Sequence, residues 1–436
     1  MLDRFFHITK HGSSVKTELL AGLTTFMTMA YILAVNPSIL GATGMDASAV
    51  FTATAVSAVV ATLVMALFAK LPFALAPGMG LNAFFAFSVV LGMGHSWQMA
   101  LTAVFLEGIL FILLTLFNVR EVIVNAIPMP LKHAISAGIG LFIAFIGLQN
   151  AGVIVNNDAV LVGVGDLHSP AVLLMLGGVL LTAVLLSLRI KGALLLGILA
   201  VTLVGIPFGV TQVPAGGAIV SLPPSLEPVF WKFDFSEVFT FEMLIILFTF
   251  LFVDMFDTIG TLVGVSDKAG MLDEQGRIPN AKAAFMADAV GTTAGAMLGT
   301  STVTCYVESA SGVAEGGRTG LTALSVAGLF FLSLFFAPLF LMVPAAATAP
   351  ALVLVGFFMM SPVLKIDFNH IEEAFPAFVT MIMMPLTYNI AEGIIFGLLT
   401  YVLVQVFSGR FRKVSPVMLI LAVLFIAKLF VDSNLL

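Results

Sequence analysis

Residues 75–84 read Leu75-Ala-Pro-Gly-Met-Gly-Leu-Asn82-Ala-Phe, and residues 300–312 read Thr300-Ser-Thr-Val-Thr-Cys-Tyr-Val-Glu308-Ser-Ala-Ser-Gly. Both stretches are rich in glycine and small residues, and both fall where a strongly apolar chain is expected to run as an unbroken helix. Each is the third segment of its half. Each follows a first helix that ends in polar residues. A long helix comes next, and then a span opened by proline, Pro128-Met-Pro-Leu in one half and Pro344-Ala-Ala-Ala in the other. Interrupted segments at matching positions of two halves are the mark of an inverted repeat with a binding site near the membrane midplane.

The surrounding composition demands a membrane. The 436 residues are 60% hydrophobic and 10% charged, against about 25% charged in ordinary soluble domains. Apolar stretches recur at a length that lets a helix cross a hydrocarbon core of about 30 Å. The alternation expected of a β-barrel is absent. The first residues, 1–18, mix charges with Leu2, Phe5, Phe6 and Ile8 and fit a short interfacial helix better than a cleaved signal. Cys305 is the single cysteine, which excludes an intramolecular disulfide. No basic run with interleaved aromatics suggests nucleic acid.

Cutting at charges, prolines and glycine clusters gives an all-α polytopic chain of about fourteen spans. They lie at about 18–36, 48–69, 75–92, 98–118, 129–149, 170–188 and 193–210, then 241–264, 283–299, 301–317, 320–342, 345–361, 372–388 and 391–408. A polar, proline-rich connection at about 211–240 joins the halves, and an apolar run at about 415–431 is left over, which either lies along the membrane, the favoured reading, or forms one more span. Basic residues gather on alternate loops, among them Lys10, Lys70, Arg120, Lys191, Arg277, Arg318, Lys365 and Arg410. By the positive-inside rule both ends of the fourteen-span set are cytoplasmic. Seven spans per half then give the halves opposite orientations.

The acids inside these spans are Glu107, Asp254, Asp257, Asp288 and Glu308, with Glu392 near a span end. A carboxylate in the centre of a membrane helix costs about 2.5–3.5 kcal/mol on insertion scales, so it faces a cavity or a partner. Hardly any deep basic residue is present to pair with these acids, so protonation is the way to neutralise them. That favours coupling to a proton over an anionic substrate. Asp254 and Asp257 stand three apart on one helix and point to roughly one face; ligand contact, coupling and bonds to other helices all remain open for them. Glu308 lies in the second interrupted segment, suited to a two-point hydrogen bond with a heterocycle edge, to the coupled proton, or to a helix cap. Asn82, in the first, carries both donor and acceptor and suits an uncharged amide-like ring or a cap. Asp288, in a helix of small residues, reads as coupling or network support, and Glu107 as an interhelical hydrogen bond. Phe73, Phe84, Phe85 and Phe256 are stacking candidates among 40 phenylalanines, which mostly pack. No metal-ligand spacing, P-loop or nucleophile elbow is present, so an enzyme is not expected. A channel would need a continuous polar stripe or filter repeat.

At this point the chain resembles the AzgA-like branch of the xanthine/uracil permeases, a nucleobase–cation symporter family. The resemblance rests on Leu23-Thr-Thr-Phe-Met-Thr-Met-Ala-Tyr-Ile-Leu-Ala-Val-Asn-Pro, on residues 76–87, on Phe252-Val-Asp-Met-Phe-Asp-Thr-Ile-Gly-Thr-Leu, on residues 306–323 and on Pro376-Ala-Phe-Val-Thr-Met-Ile-Met-Met-Pro-Leu-Thr-Tyr. It implies a seven-plus-seven fold with a core (about 18–118 and 241–342) that moves against a gate (about 129–210 and 345–408), leaving 409–436 as a tail. It implies proton-coupled uptake of purine bases, usually by a homodimer in the plasma (inner) membrane, with no cofactor beyond the coupling proton. It carries substrate contacts onto Asn82, Asp254 and Glu308, a supporting role onto Asp257, and close backbone approach onto Gly80. A carboxylate at Asp254 suits the N1–H and amino donors of guanine or the N1–H of hypoxanthine, which are favoured over adenine or a broad purine range. Sulfate and bicarbonate carriers share this fold, but the dearth of intramembrane Arg or Lys and the presence of Glu308 argue against an anion exchanger.

Overall fold

The computed structural model describes residues 2–117, 127–213, 219–272, 278 and 280–432. Arg120 and Arg277, used above for orientation, lie outside these residues. The short helix Leu2–Phe6 packs Phe6 onto Leu321, and Lys70 stands 4.9 Å over the ring of Phe5. Span 1, Val15–Gly41, is two helices joined at Ala30 and Tyr31, where Leu33 and Ala34 donate to Ala30 and Tyr31 in tight i→i+3 bonds. Span 2 is Ala47–Ala69. Span 3 begins as a strand, β1 (Leu75–Pro77), and becomes the helix Met79–Gly92. Spans 4 to 7 are Trp97–Leu116, Met129–Asn150, Pro170–Ser187 and Ala193–Gly205. An exposed hairpin, β2 (Ile154–Asn157) and β3 (Leu161–Val164), joins spans 5 and 6.

The second half repeats the plan. Spans 8 and 9 are Phe241–Lys268 and Ala281–Leu298. Span 10 begins as β4 (Val303–Cys305) and continues as the helix Ser309–Ala314. Spans 11 to 14 are Gly320–Leu341, Ala345–Met359, Ile371–Leu386 and Ile390–Phe407. Nine helices among the described residues are long and apolar enough to cross a membrane, and span 7 is a shorter apolar helix.

A broken helix inside a bilayer leaves N–H and C=O groups that cost several kcal/mol apiece if unpaired. Here the two breaks satisfy each other. β1 and β4 pair antiparallel with Leu75 opposite Cys305, Ala76 opposite Thr304 and Pro77 opposite Val303. Gly78 N–H donates to Thr302 C=O at 2.9 Å, and Tyr306 N–H to Ala74 C=O at 3.0 Å. Two threonines complete the work from matching spans. Thr62 of span 2 donates to Leu75 C=O at 3.1 Å and accepts from Leu75 N–H at 3.0 Å. Thr292 of span 9 donates to Val303 C=O at 3.0 Å and accepts from Val303 N–H at 3.2 Å.

The helices associate in two sets. Span 9 packs on spans 2 and 4, span 11 on spans 1 and 2, and the span 10 helix on span 1. Span 5 packs on spans 12 and 13, span 13 on span 14, and spans 6 and 7 on each other and on span 12. At the crossing of spans 5 and 12 a Cβ on Gly140 would collide with the Gly356 carbonyl, and one on Gly356 with the Gly140 carbonyl. The backbones therefore touch there, as small-residue faces of membrane helices permit.

The final helix, Pro416–Asp432, takes up the left-over apolar run and packs on the bundle. Met418, Ala422 and Phe425 bury one face of it, it packs along span 14, and Phe425 meets Phe248 of span 8 edge-on at 5.9 Å. Span 8 enters from the side opposite to the end of span 14, so a helix that reaches Phe248 runs up into the bundle. An apolar face with an i, i+4, i+7 spacing has more to gain from helices than from headgroups.

Candidate functional site

The paired breaks hold the side chains that the sequence singles out. Asn82 stands in the first turns of the span 3 helix, fully buried. Its Oδ1 accepts a hydrogen bond from Ser301, just before β4, while its Nδ2 has no hydrogen-bond partner. A buried amide donor without an acceptor is costly in an empty protein and is what an acceptor on a ligand would satisfy. Gly80 lies two residues earlier, where a Cβ would come 2.9 Å from Ile139 Cγ2 of span 5. The absence of a side chain at Gly80 is thus what lets the broken helix approach span 5.

At the other end of the strand pair, Glu308 precedes the helix Ser309–Ala314 and is partly exposed. Tyr31 donates to its Oε1 at 2.8 Å from the joint in span 1. The Glu308 carbonyl accepts from Ser311 N–H at 2.9 Å and from Ser311 Oγ at 2.6 Å, so the start of this helix is held from inside. Asp257 of span 8 lies within electrostatic reach of Glu308, and Tyr306, whose hydroxyl donates to Pro77 C=O at 2.5 Å, lies within reach of both. Asp257 is partly exposed.

Asp254 goes elsewhere. It is fully buried, one turn away on span 8, and its carboxyl lies within hydrogen-bonding reach of that of Glu107 on span 4. Glu107 is itself fully buried, and its Oε2 accepts from Thr302 at 2.8 Å. This is the interhelical hydrogen bond expected of an acid without a motif. Asp288 of span 9 belongs to the same network. Thr258 Oγ1 lies 2.8 Å from Asp288 Oδ1, 2.8 Å from Thr304 Oγ1 and 3.4 Å from Asp254 Oδ1. The acids within the spans therefore form two groups. Glu308 and Asp257 share one with Tyr31 and Tyr306, and Glu107, Asp254 and Asp288 share the other with three threonines. The two aspartates of the span 8 motif, three residues apart, serve different groups.

Of the aromatic candidates, Phe73, Phe84 and Phe85 are fully buried, and Phe84 meets Phe250 at 4.8 Å. Phe256 is only half-buried; it packs on Phe252 at 4.5 Å, and Lys132 of span 5 stands 5.3 Å over its ring. No lysine or arginine is buried among the described residues, and among them no three His, Cys, Asp or Glu side chains group as metal ligands. Tyr31, Thr62, Thr258, Ser301, Thr302 and Tyr306 escaped the sequence reading. Hydroxyl residues are common in membrane helices, and only the pairing of the breaks reveals what these ones hold.

A sequence model described as Permease family, that of the xanthine/uracil permeases, matches residues 16–396. This chain belongs to the xanthine/uracil permease family. Within reach of it is the guanine/hypoxanthine permease PbuG of Bacillus subtilis, 48% identical over 436 residues that cover 98% of each chain. The adenine permease AdeP of Escherichia coli is 46% identical over 435 residues, 100% of this chain and 97% of that one. Among solved structures, the transmembrane domain of the cyanobacterial bicarbonate transporter BicA superposes with a TM-score of 0.65 at 18% identity, covering 88% of this chain and 97% of that one. SLC26A9 superposes with a TM-score of 0.64 at 10% identity, covering 93% and 68%. These likenesses show the fold, the inverted repeat of fourteen spans. Members of the permease family are transporters rather than enzymes, and this chain is a polytopic membrane permease.

Proposed function

We propose that this permease imports purine nucleobases together with protons, with hypoxanthine and guanine preferred. The observation that carries the reading is the meeting of Glu308, Asp257 and Tyr31 at one end of the β1–β4 pair, with the unpartnered Nδ2 of Asn82 at the other. Carboxylates accept from N–H groups, and an amide N–H donates to a ring nitrogen or carbonyl. A neutral purine offers both along its edges. The absence of buried lysine or arginine among the described residues speaks against an anion as cargo. The relatives named for guanine and hypoxanthine and those named for adenine are similarly close, so the preference is argued from the acids. Guanine and hypoxanthine present N1–H, and adenine presents an unprotonated N1 that two carboxylates suit poorly.

In this reading Asp257 shares the base with Glu308 and Asn82. Asp254 and Asp288 act on the coupling side, an exchange of roles between the two aspartates of the motif. The first set of helices moves as a core against the second as a gate, and Gly80 on Ile139 and Phe256 under Lys132 are contacts that such a movement has to remake. A homodimer in the plasma membrane, N-terminus in the cytoplasm, completes the proposal. The test is uptake of labelled hypoxanthine by cells carrying the protein, competed by guanine, adenine, xanthine and uracil in turn, with and without a protonophore. Competition by guanine above adenine, and loss of accumulation with the protonophore, is the expected result. Accumulation that survives the protonophore overturns the coupling.

A further inference from the structure

The carboxyl groups of Glu107 and Asp254 are both fully buried and lie within hydrogen-bonding reach of each other, and Thr258 joins them to Asp288. Two ionised carboxylates offer only acceptors to each other, so a bond between them contains a proton. Glu107 Oε2 accepts from Thr302, and its Oε1 is fully buried and receives no N–H or hydroxyl hydrogen from the protein. The titratable groups facing the pair are Asp288 from span 9 and, beyond it in the electrostatic reach of Asp288, the Cys305 thiol on β4. From span 8 comes Thr258, and from the second break Thr302 and Thr304, all neutral. No lysine, arginine or histidine among the described residues is buried to balance the charge.

We infer that Glu107 and Asp254 share one proton, and that this carboxyl pair, rather than Glu308, carries the coupling proton through the transport cycle. The inference rests on the proton-coupled reading above and names its site. The proton adds to a carboxylate oxygen of the pair from water on the outer side and leaves to cytoplasmic water after the base has gone. A neutral base and one proton thus move one positive charge per cycle. The link to the base is built into the chain. Glu107 holds Thr302, whose carbonyl receives Gly78 N–H at the start of the helix bearing Asn82, and Thr302 opens the strand that leads to Glu308. With the proton gone, three carboxylates face one another in a low-dielectric interior, which is strongly repulsive. The loaded and unloaded forms of the pair therefore impose different positions on both broken spans.

Purified protein in proteoliposomes containing a pH-sensitive dye tests this with hypoxanthine as the probe. The wild type, given an inward hypoxanthine gradient, acidifies the lumen. Glu107→Gln keeps the shape and a donor but cannot release a proton. It is expected to move protons at least about tenfold more slowly per base, while exchange of labelled hypoxanthine against unlabelled continues and loses its dependence on pH. Glu107→Asp, again titratable, recovers part of the proton movement. Wild-type proton movement by Glu107→Gln overturns the assignment. So does loss of exchange and proton movement together in both variants, which is the outcome of a purely structural role. A wild type that moves no protons overturns the coupled reading itself, whatever the variants do, so the two failures are told apart.

Discussion

Tyr31 donates its phenolic hydrogen to Glu308 Oε1 at 2.8 Å, tying the joint of span 1 to the start of the broken span 10 helix. The bond spans 277 residues of sequence and fixes the direction in which the carboxylate presents its other oxygen. Hydrogen bonds to charged groups contribute about 1.5–3 kcal/mol. Tyr31→Phe removes this one and keeps the ring, which is 1% exposed and well packed. Half-saturation for hypoxanthine uptake is expected to rise about tenfold or more, with the protein present in the membrane at wild-type amounts. An unchanged concentration dependence would show that Tyr31 does not position Glu308 for the base.

The symmetry of the breaks makes a second expectation. Thr62 and Thr292 each close both backbone groups of one residue, Leu75 and Val303. Replacing either by valine keeps the volume and strands a buried N–H and C=O, at about 1–3 kcal/mol for each unsatisfied group. Thermal unfolding of the detergent-solubilised protein should fall in both variants by similar amounts. Because β1 and β4 also hold each other, the double variant should lose less or more than the sum, the sign of a shared structure. Strict additivity would mean that the two breaks are supported independently.

The fold was legible in the sequence because its signals are long. Apolar runs, alternate basic loops and two interrupted segments each extend over many residues, and the span ends fall within a few positions of those expected. The hairpin Ile154–Asn157 with Leu161–Val164 and the course of the last helix were not legible, since both depend on packing rather than composition. The acids and the amide at the two breaks could be named from the sequence, but not how they group. Helical spacing puts Asp254 and Asp257 on roughly one face, but one turn of span 8 separates a carboxyl within reach of span 4 from one facing span 10. Nothing in the spacing of Glu107 announces that its partner lies 147 residues away on another helix.

Gly80 gives an expectation about movement. A Cβ there would stand 2.9 Å from Ile139 Cγ2, closer than side chains tolerate, and the obstructing atom belongs to the other set of helices. Gly80→Ala should therefore slow transport more than it lowers stability, since the clash falls on a contact that the two sets remake in each cycle. Removing the obstruction with Ile139→Ala should restore transport in the double variant, at some cost in packing, a few kcal/mol for an Ile truncated in a core. Initial uptake rates beside unfolding temperatures separate the two effects. A double variant as slow as Gly80→Ala alone would place the role of Gly80 somewhere other than this contact.

The division of the paired motif can be read directly from base preference. Asp257 faces Glu308 and is partly exposed, whereas Asp254 is buried against Glu107. Amidation keeps the shape of each side chain and exchanges one acceptor for a donor. At Asp257 that donor meets the base. Asp257→Asn should cost hypoxanthine and guanine, which present N1–H, far more than adenine, whose N1 accepts; a site built for hydrogen bonding discriminates strongly once its partner is wrong. At Asp254 the donor meets Glu107 and stands in for the shared proton. Asp254→Asn should therefore depress accumulation of every base by a similar factor and leave the order of competition as in the wild type. The measurement is one panel of unlabelled purines against labelled hypoxanthine, run on both variants in exchange mode, where net proton movement is not required. If Asp254→Asn reorders the panel and Asp257→Asn does not, the first aspartate of the motif reads the base, and the coupling proton has to be sought beside Glu308.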